Sequence, residues 1–515
     1  MFSSSSLPSD VAGRRRFDPM VAMLPLAALL GVLGACTVQG FRWALDALMG
    51  LYSSQHHLVA AAAALAPWQR VLVPCVAATA AGLVVWAGQR LLRGAPGPAY
   101  MEAVRVGDGR LPVAPNVVRA GASLLAVSGG ITIGREGSMI QLAAVMASLV
   151  GRLSRMDEAH RRLIVACGAA AGFAAAYHAP IAGTLFVAEI ILGGLHLRVM
   201  AALLVAAMMG ELTTQTLFAA GPLYLTRAVP PINFADLVDA CLLGVLAGLV
   251  GPAFLWLLER TRQGFERRVP WVPLRFGLAG LVIGGLSVIR PEVWGNGFST
   301  VQAFLTDPWT LSALVLVTAL RLMAVTVASA AGVPGGVLTP TLALGGALGL
   351  MVAQGVQVPG GHADQALWAL AGMSSLLAAI THAPAMSALM VFESTRSYNV
   401  VLAAMPACVL ASVLSSMLRP RSVYSKALGA PVAPAGWAAL PPPETRGDRE
   451  EDGKSGDEAA AATAAAAAAA PQGDEDLPPV VAESAAPEDA GVSPDAGAGA
   501  GVAVRTAGRG PQGGQ

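Results

Sequence analysis

The sequence predicts an all-α integral membrane protein made of two related halves, with many tilted and re-entrant helices. The first observation is composition, because the 515 residues are 55% hydrophobic and only 13% charged, which is typical of a chain embedded in lipid. The second is a series of apolar stretches between residues 20 and 418, several of them shorter than the roughly 20 residues of a perpendicular span. The third is an internal repeat of two glycine-rich segments.

The residues that recur in the repeat either interrupt helices, start helices or carry a charge. The recurring pairs, each 202 or 204 residues apart, are Arg119/Arg321, Gly130/Gly332, Gly134/Gly336, His178/His382 and Glu189/Glu393. In duplicated membrane transporters the substrate site lies where the halves meet, on helices interrupted by Gly and Pro. The two glycine-rich segments are therefore the predicted site.

The predicted elements begin after a polar N-terminus. Residues 1–18 are expected to be disordered and cytoplasmic, since arginines 14–16 directly precede the first apolar run. The apolar stretches that follow are 20–50, 70–93, 117–133, 139–151, 163–176, 181–195, 199–218, 235–258, 274–289, 309–331, 340–356, 366–380, 385–393 and 400–418. Two arginine clusters, at 152–162 and 260–268, separate apolar stretches and are predicted to be cytoplasmic loops.

The domain boundaries follow from the same pattern. Residues 19–435 are predicted to form the transmembrane domain, with repeat halves at about 20–225 and 226–430. From residue 436 the chain changes to Pro-, Ala- and Gly-rich sequence with a charged run, which cannot bury a core. Residues 436–515 are therefore predicted to be a disordered, low-complexity tail.

Composition also bears on partners and cofactors. The formal net charge is +1, so no nucleic-acid binding is predicted. The five cysteines stand singly, with neither metal-ligand nor disulfide spacing, and no metal or other cofactor is expected. An intramembrane enzyme using His178, His382 and Glu189 is an alternative of another class. It is disfavoured because the chain lacks both a His-Glu-x-x-His spacing and a Gly-x-Ser-x-Gly elbow.

The segment Gly134-Arg135-Glu136-Gly137-Ser138 has the properties of an anion-binding site. It also carries a carboxylate, Glu136, that can compete with a free anion for that site. Its glycines let backbone approach a ligand, and a helix that starts just after them presents free N–H groups and about half a positive charge. Glu136 can occupy that site, be displaced by a free anion, or leave on protonation. The alternative is a capping glutamate paired with Arg135 at an aqueous edge.

The second copy, Pro334-Gly335-Gly336-Val337-Leu338-Thr339-Pro340, also breaks and restarts a helix but carries no carboxylate. Two helix N-termini that converge from the two halves concentrate positive potential without a fixed cation. Dipoles of this kind bind weakly enough to release an anion quickly. A simple packing kink is the alternative for this copy.

These residues resemble the CLC family of chloride channels and proton/chloride exchangers. The 134–138 segment is similar to the family's Gly-Lys/Arg-Glu-Gly-Pro motif, with Ser138 in place of Pro, and 336–340 to its Gly-x-Phe-x-Pro motif, with Leu338 in place of Phe. Val423-Tyr424-Ser425 resembles the late segment whose tyrosine reaches the central anion. The match covers about residues 20–430 and is nearest to the bacterial ClcB-type branch, which is named as voltage-gated chloride channels.

The resemblance implies a CLC-like fold of two inverted repeats and gives roles to particular residues. Glu136 would be the gate, and Gly137, Val337, Leu338 and Tyr424 would line the anion site. It also implies a multi-pass protein of the bacterial inner membrane, a homodimer with one pore per subunit, and chloride and other small anions as the transported ligands.

Two departures from the family affect the expected function. The early serine position of the anion site is Ala95, which removes a hydroxyl donor and leaves the choice between chloride and nitrate open. The internal proton-path glutamate position is Ile190, with Glu189 about 100° away around the helix. A voltage- or pH-gated chloride channel is therefore the leading hypothesis, with a proton/chloride antiporter and an organic-anion permease as alternatives.

Overall fold

The computed structural model describes residues 19–55, 57–92, 98–153, 156–219, 221–227, 229–355 and 364–425. Across these ranges the chain is helical, and the only β-type contact is an isolated antiparallel bridge between Gly134 and Gly336. The chain divides into two units at residues 443 and 444, and all described residues belong to the first. The predictions for residues 1–18, Ala95 and 436–515 fall outside the described residues.

Seventeen α-helices are found in the described ranges. In chain order they are α1 (Pro19–Met49), α2 (Leu58–Ala64), α3 (Pro67–Leu91), α4 (Tyr100–Arg105), α5 (Val113–Ser128), α6 (Glu136–Leu153), α7 (Glu158–Tyr177), α8 (Pro180–Leu185), α9 (Leu197–Leu217), α10 (Phe234–Arg268), α11 (Val272–Ile289), α12 (Phe298–Thr306), α13 (Leu311–Ala331), α14 (Leu338–Gly355), α15 (Gln365–Thr381), α16 (Pro384–Thr395) and α17 (Asn399–Leu418). A π-helix (Phe186–Leu192) continues α8, and a 3-10 turn (Pro291–Val293) precedes α12.

Eight of these helices are long and apolar enough to cross a bilayer. Others, such as α8 and α16, are too short to span roughly 30 Å of hydrocarbon. Their ends must be buried in protein or border an aqueous cavity, because an exposed backbone group in lipid is costly. The predicted mixture of spanning and short helices is confirmed.

The two halves repeat in the structure as well as in the sequence. His178 ends α7 and His382 ends α15, both in the left-handed conformation with φ of 55° and 59°, a region in which His is enriched among non-glycine residues. Each is followed by Ala and then by a proline at the first position of the next helix, α8 or α16. The histidines therefore act at helix ends, in line with the structural role preferred from the sequence.

The starts of α7 and α15 are also matched. Asp157 and Asp364 are their N-caps, and their side chains accept hydrogen bonds from the backbone N–H groups of His160 and Leu367. The bond from the His160 backbone N–H lowers the pKa of Asp157 below its ordinary value. Repeated caps at both ends show that each half encodes the same helix pair.

Small residues allow the central helices to approach closely. A Cβ on Gly349 of α14 would lie 1.8 Å from the carbonyl oxygen of Trp368 on α15, and one on Gly372 would lie 2.2 Å from the carbonyl oxygen of Gly345. In the other half, a Cβ on Gly168 of α7 would lie 2.4 Å from the Ala147 side chain of α6. Such contacts hold helices together in lipid, where dispersion rather than water exclusion drives packing.

Candidate functional site

The two glycine-rich segments meet through a pair of backbone hydrogen bonds. The Gly134 N–H donates to the carbonyl of Gly336 over 2.7 Å, and the Gly336 N–H donates to the carbonyl of Gly134 over 2.8 Å. A Cβ on Gly134 would lie only 2.8 Å from the Gly336 oxygen. Glycine is therefore needed here so that the two backbones can pair, and the pair joins the two halves at the centre of the repeat.

Two helices begin immediately after this bridge. The first residue of α6 is Glu136 and the first residue of α14 is Leu338. The backbone N–H groups of Glu136, Gly137, Val337 and Leu338 have no acceptor in the described residues, as expected in a first helical turn. Each helix start carries about half a positive charge, so the two together match about one anion.

The Glu136 side chain lies at this junction and is 6% exposed. Its Oε1 accepts a hydrogen bond from Nδ2 of Asn296 over 2.6 Å, while Nε of Arg135 is 3.9 Å away. Its Oε2 is buried and has no partner among the described residues. The same Oε2 lies 2.8 Å from where a Cβ on Gly134 would stand. The carboxylate therefore folds back over the bridge, and its main partner is Asn296 rather than Arg135.

Asn296 was not found by sequence reasoning, and the structure shows why it is well placed. It lies between Gly295 and Gly297, whose φ angles of 76° and 107° belong to the left-handed region. The Gly295 N–H donates to the carbonyl of Gly130, which ties this loop to the segment that precedes Glu136. A Gly-Asn-Gly tripeptide after a helix is a turn signal, but nothing in it points to a partner 160 residues away.

Arg321, on α13 of the same half, supports this loop. It is 1% exposed, and its guanidinium donates to the carbonyls of Glu292 and Gly295 and to the hydroxyl of Thr300. Its sequence counterpart Arg119 is exposed. The repeat is therefore broken at this pair, and Arg321 anchors the loop that holds Asn296 instead of lying at an interface.

Tyr424 lies in an aromatic cluster that reaches the start of α14. Its ring packs edge-on against Phe186, with centroids 5.9 Å apart, and Phe186 stacks on Phe173 at 4.7 Å. Phe173 in turn contacts Tyr177 at 4.8 Å. The Tyr177 hydroxyl is 3.1 Å from Oγ1 of Thr339, the second residue of α14. This aromatic chain connects the late tyrosine to the start of α14.

Two further tyrosine hydroxyls were missed in the sequence. The Tyr177 hydroxyl contacts Thr339 at the start of α14, and the Tyr224 ring packs beside the Asn296 loop. The Tyr224 hydroxyl is buried without a partner in the described part of the chain, and its ring stacks on Phe298, two residues after Asn296. Hydroxyl groups are suitable donors to a free anion.

The repeated glutamates form a reciprocal brace between the halves. Glu393 of α16 accepts from the N–H groups of Ile181 (2.9 Å) and Ala182 (2.7 Å) at the start of α8. Glu189 of the π-helix accepts from the N–H of Met386 (2.9 Å) at the start of α16. Each carboxylate thus caps the helix N-terminus of the opposite half, where negative charge is favoured. Ile190, beside Glu189, is buried in the apolar core.

A cavity of about 170 Å³ lies beside the Asn296 loop. Arg42, Arg135, Asp46 and Asn296 are among the residues that line it. Two arginines and one aspartate give it a net positive charge, which raises the local concentration of anions. The cavity thus adjoins the loop whose Asn296 is bonded to Glu136.

The predicted site residues divide into three groups. Glu136, Gly137, Val337 and Leu338 come together at the bridge between the halves. Tyr424 lies in the adjoining aromatic cluster, and Ile190 lies in the core beside the glutamate brace. Ala95 is outside the described residues.

The chain is similar to known chloride channels and transporters. A family model described as voltage-gated chloride channel matches residues 76–416, a range that includes both glycine-rich segments. The voltage-gated ClC-type chloride channel ClcB of Citrobacter koseri is 41% identical over 412 residues, which cover 79% of this chain and 98% of that protein. Among solved structures, a slow cyanobacterial Cl⁻/H⁺ antiporter superposes with a TM-score of 0.70 at 23% identity, over 79% of this chain and 97% of that one. A CLC-type fluoride/proton antiporter superposes with a TM-score of 0.64 at 22% identity, with the same coverage.

Proposed function

The chain belongs to the CLC family of voltage-gated chloride channels and transporters, and from that premise we propose that it is a chloride channel gated by Glu136. It is a multi-pass membrane protein, and its described residues include eight apolar helices long enough to span a bilayer. The observation that carries the proposal is the junction itself, where two helix N-termini meet with a buried carboxylate beside them. Chloride passes through this junction when the carboxylate is absent from it.

Charge balance supports this gate. Two helix starts supply about one positive charge, enough for one anion but not for two. A chloride ion and the Glu136 carboxylate therefore compete for the free N–H groups of α6 and α14. Protonation of Glu136 removes its charge and favours chloride, and a voltage that drives chloride into the site does the same.

The surroundings of the proton-path position support a channel rather than an exchanger. Ile190 has no titratable group, and the neighbouring Glu189 carboxylate accepts from the N–H of Met386 at the start of α16. A proton carrier must exchange one hydrogen-bond partner for another. The Glu189 carboxylate instead holds a structural hydrogen bond. Uncoupled chloride flow follows from the loss of an internal proton relay.

A proton/chloride antiporter is the second candidate function. Its support is the likeness of the fold to a cyanobacterial protein described as a Cl⁻/H⁺ antiporter. In that case water or Glu189 would replace the side chain that Ile190 lacks. The two candidates differ in whether proton movement is tied to chloride movement.

The test is a reversal-potential measurement on the purified protein in liposomes, with a pH gradient at fixed chloride. A channel gives a reversal potential that follows chloride alone. An antiporter gives one that moves with the pH gradient, and chloride then drives proton uptake that stops in Glu136→Ala. Comparing chloride, nitrate and an organic anion in the same vesicles tests the selectivity left open at Ala95.

We further propose that the protein works as a homodimer in a bacterial inner membrane. The family resemblance supports two identical subunits with one anion site each. Crosslinking in native membranes, followed by mass determination, distinguishes a dimer from a monomer.

A further inference from the structure

A second, larger cavity lies at the end of α10, and its lining shares no residue with the cavity beside the Asn296 loop. Its volume is about 570 Å³, within the usual range for small-ligand sites. α10 contributes Arg260, Gln263, Arg267 and Arg268 to its wall, and α13 contributes Thr326 and Val327. The proposed chloride path uses none of these residues.

The cavity carries a concentrated positive charge. Arg260, Arg267 and Arg268 form no ion pair with the described residues, because the nearby acids are already engaged. Glu266 pairs with Arg262 over 3.0 Å, and Glu259 pairs with Arg419. A concave site lined by like charges attracts a counter-ion of the opposite sign.

The helix end explains part of this arrangement but not all of it. Carbonyl groups at the end of α10 favour cations in its last turn, which accounts for Arg267 and Arg268 without a ligand. Arg260 is two turns earlier, beyond the reach of that effect. Its presence in the same cavity indicates that all three guanidinium groups serve one ligand.

Thr326 provides an independent observation. Its hydroxyl is buried and has no hydrogen-bond partner within the described ranges, although the residue lines the cavity. The hydroxyls of Thr318 on the same helix and Thr261 on α10 donate to carbonyls four residues earlier, over 2.6 Å and 2.7 Å. An unpaired buried hydroxyl is costly, so an acceptor from a ligand is expected at Thr326.

The level of the cavity in the membrane suits a lipid headgroup. α10 has 35 residues, or about 52 Å of helix, and so extends well past the roughly 30 Å hydrocarbon core. Trp271, which directly follows α10, is largely exposed, as is typical of a side chain at the membrane interface. Met323, one turn from Thr326, is also exposed and offers an apolar surface to an acyl chain.

We propose that this cavity binds a phosphate group, and that the phosphate belongs to an anionic phospholipid. The guanidinium groups of Arg260, Arg267 and Arg268 bind its oxygens, since arginine suits phosphate geometry. The Thr326 hydroxyl donates to a remaining oxygen. Because the chemistry is that of phosphate, a free phosphate ion is the other source that the test must distinguish.

The experiment measures lipid retention by native mass spectrometry of the purified full chain, with phosphatidylglycerol and phosphatidylcholine as probes. Arg267→Gln is compared with Arg119→Gln, which removes one exposed charge on α5 that does not line the cavity. Thr326→Val is compared with Thr318→Val, which changes the same residue type on the same helix.

The expected result is tighter retention of phosphatidylglycerol than of phosphatidylcholine, weakened roughly tenfold by Arg267→Gln and Thr326→Val but not by their controls. Equal retention in each variant and its control would overturn the proposal. A second arm adds inorganic phosphate. Failure of phosphate to displace phosphatidylglycerol supports the lipid source, and displacement with the same dependence on Arg267 and Thr326 assigns the site to soluble phosphate.

Discussion

At the scale of single residues, Glu136 combines a strong hydrogen bond with an unsatisfied oxygen. Asn296 donates to Oε1 over 2.6 Å, whereas Oε2 is buried with no partner in the described chain. A hydrogen bond to a charged group is worth about 1.5–3 kcal/mol, and an unsatisfied buried acceptor costs about 1–3 kcal/mol. These opposing terms are close in size, so a small change at the junction can move the side chain.

Replacing Glu136 with glutamine keeps the shape of the side chain but removes its ability to ionise. Chloride then competes with a neutral group for the two helix starts. We expect flux to rise by roughly tenfold, which corresponds to a change of about 1.4 kcal/mol in favour of chloride binding. We also expect the pH dependence of the flux to flatten. Liposome chloride efflux measured across a pH series checks both, and a pH profile like that of the unmodified protein would remove Glu136 as the sensor.

Asn296→Ala removes the main partner of the Glu136 carboxylate. Losing about 1.5–3 kcal/mol should lower the population of the carboxylate in its present position tenfold or more, and the flux should change with it. Asn116→Ala is the matched control, because Asn116 is also buried but, within the described ranges, its side chain bonds to the carbonyl of Pro112, the N-cap of its own helix. The same substitution in a Glu136→Ala background should have no further effect on flux, and an undiminished effect there would show that Asn296 acts by another route.

At the scale of elements, a backbone pair joins the halves at the site, and side chains join them elsewhere. A Cβ on Gly134 would crowd the Gly336 oxygen at 2.8 Å, whereas one on Gly336 would make only ordinary contacts, and both neighbouring helices begin two residues after the paired glycines. This arrangement fixes the distance between the two helix starts. The glutamate brace between α8 and α16 repeats the same principle, with carboxylates at helix N-termini.

Gly134→Ala tests the backbone bridge. The new Cβ would lie 2.8 Å from the Gly336 carbonyl oxygen, so the segments must separate. We expect a loss of about 1–3 kcal/mol in stability together with reduced flux, measured by unfolding in detergent and by efflux. Gly121→Ala is the control, since its Cβ would meet nothing within 4 Å and alanine is preferred in a helix. Equal effects of the two substitutions would contradict the role of the bridge.

Glu393→Gln tests the brace. Glutamine keeps one acceptor oxygen but loses the charge and one of the two bonds to Ile181 and Ala182. The expected cost is about 1–2 kcal/mol of stability, read from the unfolding midpoint. Glu102→Gln, an exposed acid in the first turn of α4, should stay within about 0.5 kcal/mol. A midpoint for Glu393→Gln no lower than for that control would show that the brace adds nothing.

At the scale of the whole molecule, the sequence predicts the architecture well and the site in part. Repeated Gly, His-Ala-Pro and Glu residues give both the duplication and the helix breaks, because such residues determine local backbone conformation. Asn296, Arg321 and Tyr177 act through contacts with residues 160, 29 and 162 positions away. No local pattern encodes such contacts, and the mismatch between buried Arg321 and exposed Arg119 shows that repeat symmetry does not supply them either.

The most direct test of the central claim is the position of the anion. Crystals of the protein and of Glu136→Gln, grown in bromide, can be measured by anomalous diffraction. The account predicts one bromide peak at the starts of α6 and α14, weak in the unmodified protein, where the Glu136 carboxylate competes for the site, and markedly stronger when residue 136 cannot ionise. Bromide found away from the two helix starts, or an identical pattern in both proteins, would contradict it.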